Sequence, residues 1–188
     1  MPTRFEQIPG WFDFADIYDQ AVEESQDGAR FLEIGVWKGR SLCYLAERIQ
    51  ESGKRIECIG VDPFPLFGQL EKCIEHLCAA EIYRQITLFP ASSAQAADNL
   101  QGSFDFVFID GSHEEDDVWL DLSLWWPRVR PGGVVAGHDY LGMFAGVRRS
   151  VDRFFGEKNS PVVPRGNSWW VRKQSGHVVP GQHQAGVL

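Results

Sequence analysis

The 188-residue chain contains no apolar run approaching the length of a membrane span, so a bilayer-crossing protein is not expected. Its first residues, Met1 to Ile8, lack the apolar stretch of a secretory leader, and a cytoplasmic location is the expectation. Cysteine is sparse. Cys43, Cys58, Cys73 and Cys78 include no C-x-x-C pair, which excludes a zinc knuckle and a thioredoxin-type dithiol and leaves buried, reduced thiols. Positive charge is also short, with 18 Lys and Arg against 26 Asp and Glu and a net charge of −8. A nucleic-acid partner needs a basic footprint that this balance does not supply. Internal repeats are absent.

What is present is an ordinary globular composition, 44% hydrophobic and 23% charged, in a chain long enough to bury a sizeable core. Short apolar runs alternate with helical patterns, the signature of an α/β protein with a mostly parallel sheet. Helices are expected over residues 11–25, 41–50, 70–83, 93–99, 114–126 and 146–155. Strands are expected over 30–36, 55–61, 86–89, 104–109 and 134–136. Pro63 and Pro90 should stop the second and third strands, and Pro131-Gly132-Gly133 reads as a turn. Val162-Val163 and residues 169–172 flank a Pro-Arg-Gly-Asn turn and suggest an antiparallel hairpin. The expectation is a Rossmann-like, mostly parallel seven-stranded sheet with helices on both faces and a C-terminal antiparallel hairpin. It forms one domain, 1–173, with a helical lid or cap at 1–28, a core at 29–173 and a flexible tail at 174–188.

Ligands of such sheets bind beyond the carboxyl ends of the strands. The first of these ends carries Glu33, Gly35, Val36, Trp37, Gly39 and Ser41. Its two glycines are separated by three residues, where a phosphate-binding loop needs four and then Lys-Ser/Thr. A dinucleotide loop needs G-x-G-x-x-G, and here Trp37 and Arg40 replace its second and third glycines, which argues against a nicotinamide-dependent oxidoreductase. The second end is Asp62-Pro63, 23 residues after Gly39, and an acid at that distance can accept hydrogen bonds from a ribose diol.

The pattern E-x-G-x-x-x-G resembles the first motif of class I S-adenosylmethionine-dependent methyltransferases. Three further features resemble one family among them, which includes macrocin-type O-methyltransferases. They are Ile109-Asp110-Gly111-Ser112-His113 with the acidic helix that follows, the Arg130-Pro131-Gly132-Gly133 turn, and Gly137-His138-Asp139-Tyr140. The resemblance runs over about residues 31–155.

It implies that Glu33, Gly35 and Gly39 line the methionine and ribose of S-adenosylmethionine, with Val36, Trp37 and Ser41 in the same loop. Asp62, with Pro63 beside it, would hold the ribose hydroxyls, and Ser92 or Ser93 would lie near the adenine. Asp110 would stand at the cofactor–substrate boundary, and His113 would be the base. The resemblance also implies a divalent metal, Mg or Mn, at Asp110, His138 and Asp139. His138 departs from the family's metal-dependent members, which carry a carboxylate there, and magnesium prefers oxygen ligands.

Methyl transfer is an in-line displacement at a carbon activated by the sulfonium, so the protein must align the reactants and take a proton from an alcohol nucleophile. His113 suits that task, although its place also suits a helix N-terminal residue bonded to local backbone. His138 can equally orient a loop. Trp119, Trp125 and Trp126 read as an apolar helix face against the sheet, with an oligomer interface as the sharper alternative, so a homodimer is left open. The expected partner is a small hydroxylated methyl acceptor. It is bound by the N-terminal segment, the loop at 62–69 and the stretch 140–145. A non-catalytic binder that keeps a methyltransferase fold is the alternative function.

Overall fold

The computed structural model describes residues 4–174. Strands β1 (Arg30–Ile34), β2 (Glu57–Asp62), β3 (Ile86–Pro90), β4 (Phe104–Ile109) and β5 (Val129–Gly137) are parallel. Strands β6 (Val163–Arg165) and β7 (Ser168–Arg172) form the terminal hairpin, and β7 pairs antiparallel to β5. The sheet order is β3-β2-β1-β4-β5-β7-β6. The chain starts at β1, moves outward to β3, then crosses back to β4. The gap between β1 and β4 is therefore the point where the winding reverses, and the loops there splay apart to leave a crevice.

Alternation along the strands divides the core into two layers. Phe31, Phe106 and Phe108 face one layer, with helices α1 (Ala15–Glu24), α2 (Arg40–Ser52) and α3 (Gln69–Ala79). Leu32, Ile34, Val107 and Val135 face the other, with α4 (Ser93–Asn99), α5 (Glu115–Trp125) and α6 (Ala145–Gly156). Ser92 caps α4 in a capping box with Gln95, which satisfies two otherwise orphaned donors.

Several boundaries differ from the sequence reading. The residues 131–133 are not a turn between elements but part of β5. Gly132 takes φ +81°, its N–H donates to Lys173 O at 2.7 Å, and the register against β4 shifts between Phe104 and Phe106. The glycines let the strand bulge and continue. Pro90 stops β3 as expected but is itself the last residue of the strand, which it can be because β3 is an edge strand and needs no outward donor there. Helix α1 starts at Ala15, not at residue 11. The preceding stretch instead sends Phe14 into the core. Helix α3 ends at Ala79, and a 3₁₀ turn, Tyr83–Gln85, leads into β3. Three cysteines are buried as expected, whereas Cys78 is exposed.

Helix α1 is a layer of the core, with Ile17, Tyr18, Ala21 and Val22 buried. The tryptophans of α5 and of the turn that follows it face inward: Trp125 is fully buried, while Trp119 and Trp126 meet Phe154 and Phe155 edge-on at 5.3 and 5.0 Å. The tail expected at 174–188 lies, beyond Gln174, outside the described residues. Among the described residues, no helix is long and apolar enough to cross a membrane.

Candidate active site

A cavity of about 1100 Å³ opens at the carboxyl ends of the parallel strands. Of the residues singled out in the sequence, Gly35, Val36, Trp37, Ser41, Asp62, Pro63, Ser92, Ser93, Asp110, His113, His138 and Asp139 line it. Glu33 and Gly39 do not.

Glu33 lies beneath the cavity floor, fully buried. Its two oxygens accept from Tyr18 Oη and Ser41 Oγ, each at 2.7 Å. Burial raises its pKa to about 8, against the pull of those two hydroxyls. It ties α1 to the head of α2 instead of meeting a ligand directly. Gly39 opens α2 with φ +86°, and its open side faces Cys73 and Leu77 of α3. Gly35 has φ +93°, and a Cβ there would overlap the Asp110 carbonyl. Its lack of a side chain brings the ends of β1 and β4 together, so the first loop and Asp110 share one wall.

Asp62 is the keystone of that loop. Its Oδ2 accepts from Val36 N at 3.0 Å and Trp37 N at 2.8 Å, and its Oδ1 accepts from Phe64 N at 2.6 Å. An ionised carboxylate offers about four lone-pair sites, so three are spent on the backbone. The reward is a loop held open with Trp37 in a left-handed conformation, φ +48°, half exposed over the cavity mouth.

At the other wall, Asp110, His113 and Asp139 converge. His113 Nε2 lies 2.8 Å from Asp139 Oδ2, and the imidazole stacks on Phe144 with ring centroids 3.8 Å apart. The ring is fixed on one edge by a carboxylate and on one face by an aromatic. Burial raises the Asp139 pKa less than His138 and His113 lower it, so Asp139 is ionised at neutral pH. Asp110 is pushed up to about 6, chiefly by burial, with His138 pulling the other way.

His138 is nearly buried, and Nε2 sits 2.8 Å from Asp13 Oδ1, while Nδ1 faces Asp139 Oδ2 at 3.4 Å and Asp110 Oδ1 at 3.7 Å. Burial disfavours its charge, but Asp139, Asp110 and Asp13 outweigh it and raise the pKa to about 9. At neutral pH it is a cation gripped by carboxylates. Among the described residues, the set within ligand reach of one ion is Asp110, His113 and Asp139, whose atoms lie within 4.8 Å of one another. His113 belongs to that set, while His138 faces the same two carboxylates from 3.4 and 3.7 Å.

Sequence reasoning passed over Asp13, Asn167 and Asp121. Asn167, read only as part of the hairpin turn, donates Nδ2 to Asp139 Oδ1 at 3.2 Å. Asp13 reaches His138 from the stretch before α1, and Gly10 and Trp11 of that stretch line the cavity. No local pattern announces either contact. Asp121 did leave a signal, an acid among Val118, Leu122 and Trp125 on the buried face of α5. Pro65 and Gln69 from the 62–69 loop, and Gly142, Met143 and Phe144 from the 140–145 stretch, complete the lining.

A glycine-hinged loop, a strand-end acid and a cavity at the β1/β4 switch point are the features of a Rossmann-like cofactor-binding domain. The methyltransferase-domain family model matches residues 32–140, and the chain belongs to the class I S-adenosylmethionine-dependent methyltransferases. Protein R132 of Acanthamoeba polyphaga mimivirus is 29% identical over 122 residues, 61% of this chain and 53% of that protein. The chain therefore spans about half the length of that curated relative. Among solved structures, an O-methyltransferase from Bacillus cereus in complex with SAH superposes with a TM-score of 0.66 at 18% identity, covering 92% of each chain. TomG, the O-methyltransferase from Streptomyces achromogenes involved in tomaymycin synthesis, in complex with SAM, gives 0.64 at 18% identity over 92% of this chain and 86% of its own. At these identities the likeness is one of fold.

Proposed function

We propose that the protein transfers the methyl group of S-adenosylmethionine to a hydroxyl of a small molecule, with His113 as the base. The observation that carries this reading is the clamping of His113 between Asp139 at 2.8 Å and Phe144 at 3.8 Å, inside the cavity bounded by the first loop. A base oriented by a third group is what proton abstraction requires. S-adenosylmethionine, when bound, would supply an activated methyl group for the acceptor oxygen, with S-adenosylhomocysteine as the leaving group, and His113 would take the hydroxyl proton.

In this reading Gly35, Val36, Trp37, Ser41, Asp62 and Pro63 enclose the cofactor's methionine and ribose. Asp62 acts mainly by shaping the loop whose amides it holds. Glu33 and Gly39 act from outside the cavity, by anchoring that loop. The acceptor is held by the 10–13 stretch and Met143. His138, cationic and fastened to Asp13, closes the N-terminal segment over this end.

The convergence of Asp110, His113 and Asp139 also favours a second reading. Two carboxylates and an imidazole suit a divalent ion of the manganese type better than magnesium. An ion held there would lower the pKa of a bound acceptor hydroxyl, and His113 would then be a ligand.

Calorimetric titration with S-adenosylhomocysteine, with and without EDTA, tests the cofactor. Methyl transfer to a panel of hydroxylated acceptors tests the chemistry. His113→Ala should keep S-adenosylhomocysteine affinity within about twofold and lower turnover ~10²- to 10⁴-fold. Turnover abolished by EDTA in the wild type would install the metal reading instead. Cofactor binding with no transfer to any acceptor would leave the non-catalytic binder. Tighter binding of NAD than of S-adenosylhomocysteine would overturn both.

A further inference from the structure

The indole N–H of a buried tryptophan normally finds a hydrogen-bond partner. On α5 it does: Trp125 Nε1 donates to Ser93 Oγ at 2.8 Å. On β7 it does not. Trp169 is fully buried, and its Nε1 has no partner among the described residues. The ring is nevertheless closely placed. Trp169 pairs with Gly137 across β7 and β5, and a Cβ on Gly137 would stand 2.7 Å from Trp169 Cε2 and Cζ2 and 2.5 Å from Ile109 O. Glycine at 137 therefore lets the indole lie across the end of β5, with the carbon that bears its nitrogen beside the end of β4. Asp110 is the next residue there.

Trp169 lines a second, smaller cavity of about 10 Å³, on the order of the space one water needs. Val118 and Val147, on α5 and α6, supply its apolar wall. Asp110, His138 and Asp139 supply its polar wall, and all three also line the large cavity. Apolar cavities stay dry, whereas a water with two or more polar partners is held. Asp139 already accepts from Asn167 and meets His113 at 2.8 Å. Asp110 has no donor within hydrogen-bonding distance among the described residues, His138 Nδ1 standing off at 3.7 Å. One cavity thus joins a donor without an acceptor to an acceptor without a donor. The indole can only donate and an ionised carboxylate can only accept, and a water serves both.

We propose that one ordered water occupies this cavity, accepts a hydrogen bond from Trp169 Nε1 and donates one to the Asp110 carboxylate. Trp169 is then a positioning residue, through which the terminal hairpin orients an acid of the large cavity. One oxygen of Asp110 is engaged from behind, and the other is left to whatever enters. Nothing in this inference depends on the cofactor or on the reaction.

The test is NMR on the whole protein. The indole proton of Trp169, assigned by its loss in Trp169→Phe, should show a direct Overhauser contact to water. Val147→Ile keeps the indole and sets one more methyl group against the cavity. It should lose that contact, and relaxation dispersion of the water signal should count one fewer long-lived internal water. The Asp110 carboxyl resonance should shift in both variants, while that of Asp62, at the end of β2, stays in place. If Trp169→Phe does not fold, as judged by its melting curve, Val147→Ile gives the same readings with the indole present. A wild type without the Overhauser contact would overturn the water site. An Asp110 resonance that ignores both substitutions would overturn the positioning role of Trp169.

Discussion

Glu33 and Asp62, on the β1/β2 side of the cleft, have both carboxylate oxygens bonded by the protein: two hydroxyls for one, three backbone amides for the other. Asp110 and Asp121, on the β4/α5 side, do not. Asp110 has His138 Nδ1 at 3.7 Å, beyond hydrogen-bonding distance, and Asp121 has one serine hydroxyl. All four are acids in or beneath one cavity. The difference separates carboxylates that build the site from carboxylates kept for something that enters it. Satisfied groups rigidify a loop, whereas under-satisfied ones cost stability in the empty protein and regain it on binding.

The comparison can be broken most sharply at Gly35. Gly35→Ala forces a Cβ into the Asp110 carbonyl and strains φ +93°, separating the two sides it now joins. We expect a loss of ~4 kcal/mol or more, read by denaturant unfolding; a wild-type midpoint would show that β1 and β4 can part freely. Asp62→Ala leaves three amides without their acceptor and should cost ~2–3 kcal/mol, together with cofactor affinity. Stability unchanged in that variant would mean the loop is not held from Asp62.

Glu33 gives a pH test of the satisfied side. Its folded pKa, near 8, lies above its value in the unfolded chain. The unfolded state therefore loses this proton first, and stability contributed by the protonated acid fades as pH rises from about 4.5 through about 8. Between pH 5 and 8.5 the wild type should lose up to ~3 kcal/mol that Glu33→Gln does not lose. Parallel pH profiles for the two proteins would place the Glu33 pKa back in the ordinary range.

The smallest effect is the most telling for the other side. Asp110, raised to about 6, is ionised above that pH at the expense of folding. Asp110→Asn should therefore be neutral or stabilising by ~1 kcal/mol at pH 7.5, while turnover collapses. A clear loss of stability would move Asp110 to the building group, with Asp62.

Much of this was legible in the residues alone. Strand β4, Phe104–Ile109, and helix α4, Ser93–Asn99, have the limits expected from their residues. The strand-end rule led to Asp62, Ser93, Asp110, His113 and Asp139 without coordinates, because in a parallel sheet all carboxyl ends share one edge. Less legible was how each acid is used. The Glu33 position reads as cofactor-lining, yet Tyr18 and Ser41 cover it, and no local pattern pairs the Tyr18 hydroxyl with it. The Pro-Gly-Gly stretch reads as a turn because its propensities are those of a turn. Pairing with β4 on one side and Lys173 on the other overrides them.

The sequence by itself determined the alternation of elements, the two-layer core and the positions of the strand ends, since these follow from periodicity and backbone chemistry over a few residues. Tertiary structure alone decided that Gly35 faces Asp110, that Asp110, His113 and Asp139 come within ligand reach of one another, and that Asp121 at the cavity wall has a single serine hydroxyl as donor. Each depends on contacts between segments far apart in the chain. Whether a carboxylate is satisfied is a property of the atoms around it, and only the folded chain assembles them.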